Sequence, residues 1–392
     1  MLKRLVAIGL IFCGAGLAWI ILGATLAQRT IDSDSSQQAQ LSSQWGSSQT
    51  QSAPRIFSDN GPKIVDTPVA IDRSRINVAL NLTQRRKGLL WYNLYDVTFA
   101  AQYVVRNTTH TPHLYVKVSL PASDGSYANL IYKIGDRQID NATALDGLVH
   151  FDLAPGAQTM IQINYRSRGM ESWMYRFKDD VESVRDFNLT MTTNFKAIDF
   201  PPKTLLPTSE VADGSGWRLQ WSYATLVTGN RIGMTVPYPL QPGPLAQRIT
   251  FWAPVSLLFY IFVMLLITTL RGIDLHPMNY FFLACAFFAF HLLLAYLVDR
   301  MPLMAAFVIC SVVSMFLTIS YLRLVVGLRF AAFEAGIVQL IYLVLFSYAL
   351  FNEGWSGLTI TTGAIITLFV AMQLTGRIRW DERFAPAQIV VP

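Results

Sequence analysis

The sequence predicts a membrane protein in three parts: an N-terminal transmembrane helix, an all-β, antiparallel sandwich-like domain outside the bilayer, and a C-terminal five-helix transmembrane bundle. Three observations predict it. Six apolar segments are long enough to cross a bilayer, one alone at the N-terminus and five crowded at the C-terminus. The residues between them alternate apolar and polar side chains over short runs. Charge divides along the same line: residues 28–248 carry 22 Lys/Arg and 19 Asp/Glu, whereas residues 249–392 carry only seven and six.

Crossing about 30 Å of hydrocarbon takes about 20 apolar residues in a helix. The candidates span residues 5–27, 251–270, 279–298, 303–322, 330–351 and 356–375. Lys3 and Arg4 precede the first, and Arg271 follows the second. Arg323 and Arg329 bracket the turn between the fourth and fifth, and Arg377, Arg379 and Arg383 follow the sixth. The opposite turns, Asp299-Arg300 and Asn352-Glu353-Gly354, carry no basic excess. The positive-inside rule therefore expects both termini in the cytoplasm, and an even number of spans agrees. The large loop is then periplasmic in a Gram-negative bacterium. Thr25-Leu26-Ala27 would tolerate signal-peptide cleavage, but an apolar run of about 22 residues exceeds the roughly 7–15 of a signal peptide and favours a retained anchor. The expected plan is an anchor at 1–27, a linker at 28–53, a β-domain at 54–236, a Pro-rich re-entry linker at 237–250, the bundle at 251–376 and a cytoplasmic tail at 377–392.

Residues 32–53 are rich in Ser and Gln and read as a flexible linker. Strict alternation follows in Ile76–Leu82, Leu114–Leu120, Ile161–Arg166, Phe187–Thr192 and Trp217–Tyr223, so each run buries one face and wets the other. Less regular candidates lie near 94–104, 130–134 and 148–153. Turn signals separate them at Ser123-Asp124-Gly125, Asp146-Gly147, Ala154-Pro155-Gly156 and Asp213-Gly214-Ser215-Gly216. Eight or more short strands suggest an antiparallel sandwich. Trp217 and Trp221 share a strand face and read as core.

No catalytic signature stands out. There is no G-x-S-x-G elbow, H-E-x-x-H pair or Walker loop. Cys13, Cys285 and Cys310 all lie in apolar segments, which excludes a disulfide or CxxC framework in the outer domain. The net charge of +6 is spread along the chain and does not mark a nucleic-acid binder; Arg85-Arg86-Lys87, its densest patch, reads as a solvated turn, with a phosphate or anionic-lipid contact as the other reading. His110, His113 and His150 match no strong zinc spacing and read as exposed turn histidines. No cofactor is implied.

Ionisable residues inside a membrane are functional candidates by default. His291 lies past the middle of the third segment and Glu334 one turn into the fifth, neither with a partner charge at helical spacing. A neutral packed imidazole and an acid complementing the helix dipole are the structural alternatives. Pro277 suits the first turn of the third segment, with Asp274 or His276 placed to satisfy nearby free amides.

Ordered short motifs carry a family resemblance. Trp45-Gly46-Ser47-Ser48-Gln49-Thr50 followed by Pro54 resembles the W-G-x-x-Q-T…P signature of the CreD inner-membrane protein family. Arg86-Lys87-Gly88 with Tyr95, Leu153-Ala154-Pro155-Gly156 with Arg168-Gly169, and Phe200 with Leu206-Pro207 and Trp217–Trp221 are similar to its later motifs. His276-Pro277-Met278-Asn279-Tyr280 resembles its H-P-V-Q-Y, and Thr375-Gly376 through Trp380 its T-R-x-x-D-W ending, although Arg379 stands where an acid is usual. The resemblance implies an ordered start near Trp45, reached through a helical turn. It also implies association with the Cre two-component system, colicin tolerance, envelope integrity and β-lactam responses, and it supplies no catalytic residue. The expected partners are the lipid bilayer and, through the periplasmic domain, an envelope protein or cell-wall component. The expected role is non-enzymatic; the alternatives are a small-molecule or lipid transporter that relies on His291, and an envelope enzyme built on His110, His113 and His150.

Overall fold

A computed structural model describes residues 2–58, 67–140, 148–177, 182–352 and 354–376. The chain divides into two compact units: Met1–Asp34 with Gly88–Leu90 and Leu240–Pro392, and Ser35–Lys87 with Trp91–Pro239. The turn expected at Asp146-Gly147, Glu353 of the turn between the fifth and sixth apolar segments and the tail at 377–392 lie outside the described residues.

The chain opens with helix α1, Leu2–Trp45. At about 1.5 Å per residue it is about twice as long as a hydrocarbon core is thick. The stretch read as a flexible linker is helical as far as Trp45, and the reason is local. Between Ala24 and Trp45 there is no Gly or Pro, and Gln, Ala and Leu are good helix formers. The stop is Gly46, whose φ of +84° lets its N–H return to the Ser42 carbonyl at 2.7 Å, a left-handed cap natural for glycine.

Among the described residues fifteen strands follow: β1 (Gln49–Ser52), β2 (Arg55–Ser58), β3 (Thr67–Val69), β4 (Ile71–Lys87), β5 (Leu90–Arg106), β6 (His113–Lys117), β7 (Tyr127–Ile134), β8 (Arg137–Gln138), β9 (Leu148–Asp152), β10 (Gln158–Met170), β11 (Ser172–Arg176), β12 (Glu182–Thr193), β13 (Ser209–Asp213), β14 (Gly216–Thr228) and β15 (Ile232–Thr235). They form three sheets, ordered β1-β11-β15, β13-β14-β12-β4-β5-β10-β7-β8 and β3-β2-β6-β9. Four of the alternating runs expected from the sequence fall wholly on a strand, and the fifth, Leu114–Leu120, does so only as far as Lys117. Two pairings are parallel, β1 with β11 and β12 with β4. The alternation becomes the core directly: Val97, Phe99, Ala101, Tyr103 and Val105 of β5 are buried, and across the register so are Ile161, Ile163 and Tyr165 of β10. Phe99 and Tyr165 stack with ring centroids 5.0 Å apart. Trp221 is fully buried and donates from Nε1 to the Leu205 carbonyl at 2.9 Å, whereas Trp217 is only partly buried and donates to Lys196 O at 3.0 Å.

β12 has an irregular position. Asp186 sits in β12 at φ +39°, and the register with β14 skips it between Arg185 and Phe187. Its carboxylate accepts from Arg73 Nε and Arg75 Nη2, each at 2.6 Å, while Arg75 Nη1 donates to its carbonyl at 2.7 Å. Those charge-assisted bonds hold the Asp186 carboxyl below the usual carboxylate range, Arg75 contributing most.

The helical unit continues with α2 (Pro242–Arg271), α3 (Pro277–Leu297), α4 (Leu303–Val325), α5 (Phe330–Ala349) and α6 (Ser356–Thr375). With α1 they make, among the described residues, six helices long and apolar enough to cross a membrane. The second of these starts earlier than the sequence suggests, because Pro242 and Pro244 are compatible with a first helical turn, where a missing N–H costs nothing. Gly243 N–H then donates to Leu89 O at 2.9 Å, within the same unit. Two ion pairs mark opposite ends of this unit. Arg4 reaches Asp274, in the α2–α3 turn, at 2.6 Å; Arg29 reaches Asp299, beyond α3, at 3.2 Å. Twenty-five residues of α1 separate the two arginines, about 37 Å along the axis.

Candidate functional site

The residues singled out around Trp45 converge on a structural clip. The indole of Trp45 lies under two guanidinium groups, Arg168 at 4.9 Å and Arg85 at 5.3 Å from its ring centroid. Gly46 passes so close to the Arg168 carbonyl that a Cβ there would lie 3.0 Å from the oxygen. Gln49 is buried and donates from Nε2 to Ser167 Oγ at 2.8 Å and Arg168 O at 2.7 Å. Two residues on, Gln51 accepts from the Tyr165 hydroxyl at 2.8 Å and donates to Ser119 O at 3.0 Å. Burial raises the Tyr165 hydroxyl well above the ordinary tyrosine value, so it stays a neutral donor. Thr50 N–H donates to Pro121 O at 3.1 Å. The polar pattern here is required because a parallel strand pairing, β1 with β11, enters the domain where its amides and side chains are dry.

Within the helical unit, His291 is buried. Its Nδ1 lies 3.2 Å from the Phe287 carbonyl one turn earlier, and its ring meets Trp19 edge-on at 5.6 Å and Phe290 at 4.9 Å. Phe287 also stacks on it, ring centroids 6.0 Å apart. Glu334 differs from the sequence expectation: it has a cationic partner, Arg271 Nη2 at 2.6 Å, supplied by α2. A partner on another helix leaves no mark in the spacing of its own. The other carboxylate oxygen of Glu334 is buried without a hydrogen bond, beside an open groove lined by Ile267, Leu270, Phe333 and Ile337. His276 caps α3 by accepting from Met278 N–H at 3.2 Å, with Pro277 in the first turn, as the sequence suggests. Trp380 lies outside the described residues.

Sequence reasoning missed a buried polar chain between α4 and α5. Gln339 Nε2 donates to Ser314 Oγ at 2.8 Å, which donates to the Ala286 carbonyl at 2.6 Å. Gln339 Oε1 and Thr318 Oγ1 are buried without partners. Gln339 lies between two π-helical stretches, Phe330–Ala335 and Leu340–Leu345, and such wide turns occur often at functional positions. Ser, Thr and Gln inside an apolar segment were the available signal.

Two of the three histidines expected in turns are on strands, whereas His110 lies in an exposed bend. His113 of β6 and His150 of β9 lie on the exposed side of the four-stranded sheet with Asp152, which the sequence reading did not include. His113 Nδ1 is 2.7 Å and His150 Nε2 3.5 Å from Asp152 Oδ1. His110 is not part of this group.

A β-rich unit joined to six membrane-capable helices defines the class: a multi-pass membrane protein with a large domain outside the spans. Over residues 214–381 the chain matches the family model of the inner membrane protein CreD, which bears out the resemblance read from the motifs around His276 and places the protein among multi-pass inner-membrane proteins. The motifs from Trp45 to Leu206 lie outside the matched residues. No curated protein matches the chain. The crystal structure of a "putative nutrient binding protein" from Legionella pneumophila is similar at 10% identity over 52% of this chain and 74% of that one, with a TM-score of 0.28, too low to bear on fold or function.

Proposed function

We propose that the whole chain is CreD-like and non-enzymatic. Its β-rich unit, held on the periplasmic side, binds an envelope protein or cell-wall component, and both termini are cytoplasmic. The distribution of charge over the ends of the helical unit carries this reading. The end marked by the Arg4–Asp274 pair also receives Lys3, Arg271, Arg323 and Arg329, against Asp274 and Glu334. The end marked by Arg29–Asp299 has Arg248 and Arg300 beside Asp32, Asp34 and Asp299, with no basic excess. Basic excess favours the cytoplasm, and in sequence the strands begin only after Trp45, past Arg29.

Single cysteines tested with a membrane-impermeant maleimide check the orientation. In cells whose outer membrane is permeabilised, Ser123→Cys and Gly214→Cys should label, and Leu328→Cys should label only after lysis; the reverse pattern overturns the reading. Photo-crosslinking from the β-rich unit in the same cells should capture one envelope component. A second reading, transport or lipid handling by the bundle, is supported by the unpaired Gln339 oxygen and the π-helical turns around it. If that reading holds, Gln339→Leu or His291→Ala removes the cellular phenotype and no crosslink forms.

A further inference from the structure

We propose that His113, His150 and Asp152 form a surface site for a borderline divalent transition-metal ion, Zn2+ or Cu2+. Strand geometry brings the three together. Residues two apart on a strand face the same side, so His150 and Asp152 share a face of β9, and both are exposed while Val149 and Phe151 are buried. In the antiparallel register His113 lies opposite Asp152 and Tyr115 opposite His150, which sets His113 on that same face. The donor atoms all lie within 4.8 Å of one another. A tetrahedral ion with bonds of roughly 2.0–2.2 Å places its ligands about 3.4 Å apart. The two distances to Asp152, 2.7 and 3.5 Å, are already near that value. The imidazole rings, 5.6 Å apart, need only a small rotation of exposed side chains.

The surroundings support the arrangement. His150 leans on Tyr115 at 5.2 Å, and Tyr115 stacks on Phe57 at 5.9 Å, so one ligand has a fixed aromatic wall behind it. Two imidazoles and one carboxylate suit zinc or copper, whereas calcium and magnesium take oxygen-rich sets. Three protein ligands leave a fourth position for water or an incoming donor. His113 Nδ1 and Asp152 Oδ1 already face each other at 2.7 Å, so an ion would replace that hydrogen bond with two coordinate bonds. A pairing that depends on strand register is invisible to motif spacing, since the three residues come from positions 113, 150 and 152.

The test uses full-length protein in detergent, stripped with a chelator, and titrated with Zn2+ by calorimetry and with Co2+ by visible absorption. The expected result is one equivalent bound, with the strong bands of low-coordinate Co2+. His150→Ala and Asp152→Asn should each weaken Zn2+ binding at least about tenfold, a loss that even an outer-shell partner can cause. His113→Gln should do the same, and His110→Ala should change nothing. All four side chains are exposed, so metal-free melting temperatures should match the parent and exclude misfolding as the cause. No stoichiometric uptake, equal losses in His110→Ala and His150→Ala, or displacement of Zn2+ by equimolar Ca2+ would each overturn the site.

Discussion

The two units use the same ion pairs to different ends. In the β-rich unit, Arg73 and Arg75 with Asp186, Arg168 with Asp96, Arg106 with Asp72 and Arg218 with Asp213 all tie nearby strand residues across a wet surface. Exposed pairs of this kind contribute little, because water screens them and long side chains lose freedom in forming them. In the helical unit the pairs stand at helix ends: Arg4 with Asp274, Arg29 with Asp299 and Arg271 with Glu334. A charge there cannot move inward without entering hydrocarbon, so a pair fixes the level of its helix as well as its neighbour. The β-rich unit is held by its apolar interior and the helical unit is levelled by its polar ends.

That contrast can be broken first at its strongest point. Trp221→Ala removes a fully buried ring and its bond to Leu205 O from the β-rich core. The cost should be about 3–5 kcal/mol, as for other buried aromatic truncations. Thermal unfolding of the full chain, followed by limited proteolysis, should show the β-rich unit melting well below the parent while the helices stay protected. Equal melting temperatures would mean that this core does not limit the stability of its unit. A smaller effect is expected at Arg271. Arg271→Ala strips the partner from a carboxylate that already has one buried, unbonded oxygen, and should cost about 1–3 kcal/mol. In a Glu334→Gln background most of that loss should vanish, because a neutral amide does not need the guanidinium. An equal loss in both backgrounds would place the effect in the packing of the arginine stem rather than in the pair.

The same contrast explains what was legible in the sequence. Strand alternation has a period of two and one buried face, so Ile76, Val78 and Leu80 announce both element and burial. A membrane helix is apolar all round, so its extent can be read but its facing cannot: in α4, Cys310 and Ser314 are buried while Val312 and Phe316 are exposed. Partners across elements were unreadable for a related reason. Arg271 for Glu334, and Asp152 for His113 and His150, depend on packing and register that no local spacing records. The helical reading of residues 28–45 was lost to composition: Ser and Gln suggest a linker, yet without Gly or Pro nothing in that stretch ends a helix already begun.

The smallest effect isolates a surface pair by its response to acid. Asp186 is held below the usual carboxylate range by Arg75 first and Arg73 second. A carboxyl whose folded value is depressed contributes stability above its unfolded value, about 3.9, and loses it as the pH falls toward the folded one. Asp186→Asn keeps the size of the side chain and tolerates the positive φ, but not the charge. The melting temperature of the parent should therefore exceed that of the variant by a constant margin above about pH 5, and the margin should shrink progressively below about pH 4. A margin that stays constant from about pH 6 down to about pH 3 would show that the left-handed Asp186 position in β12 is held by its backbone bond from Arg75 and by packing, with the ion pairs contributing nothing.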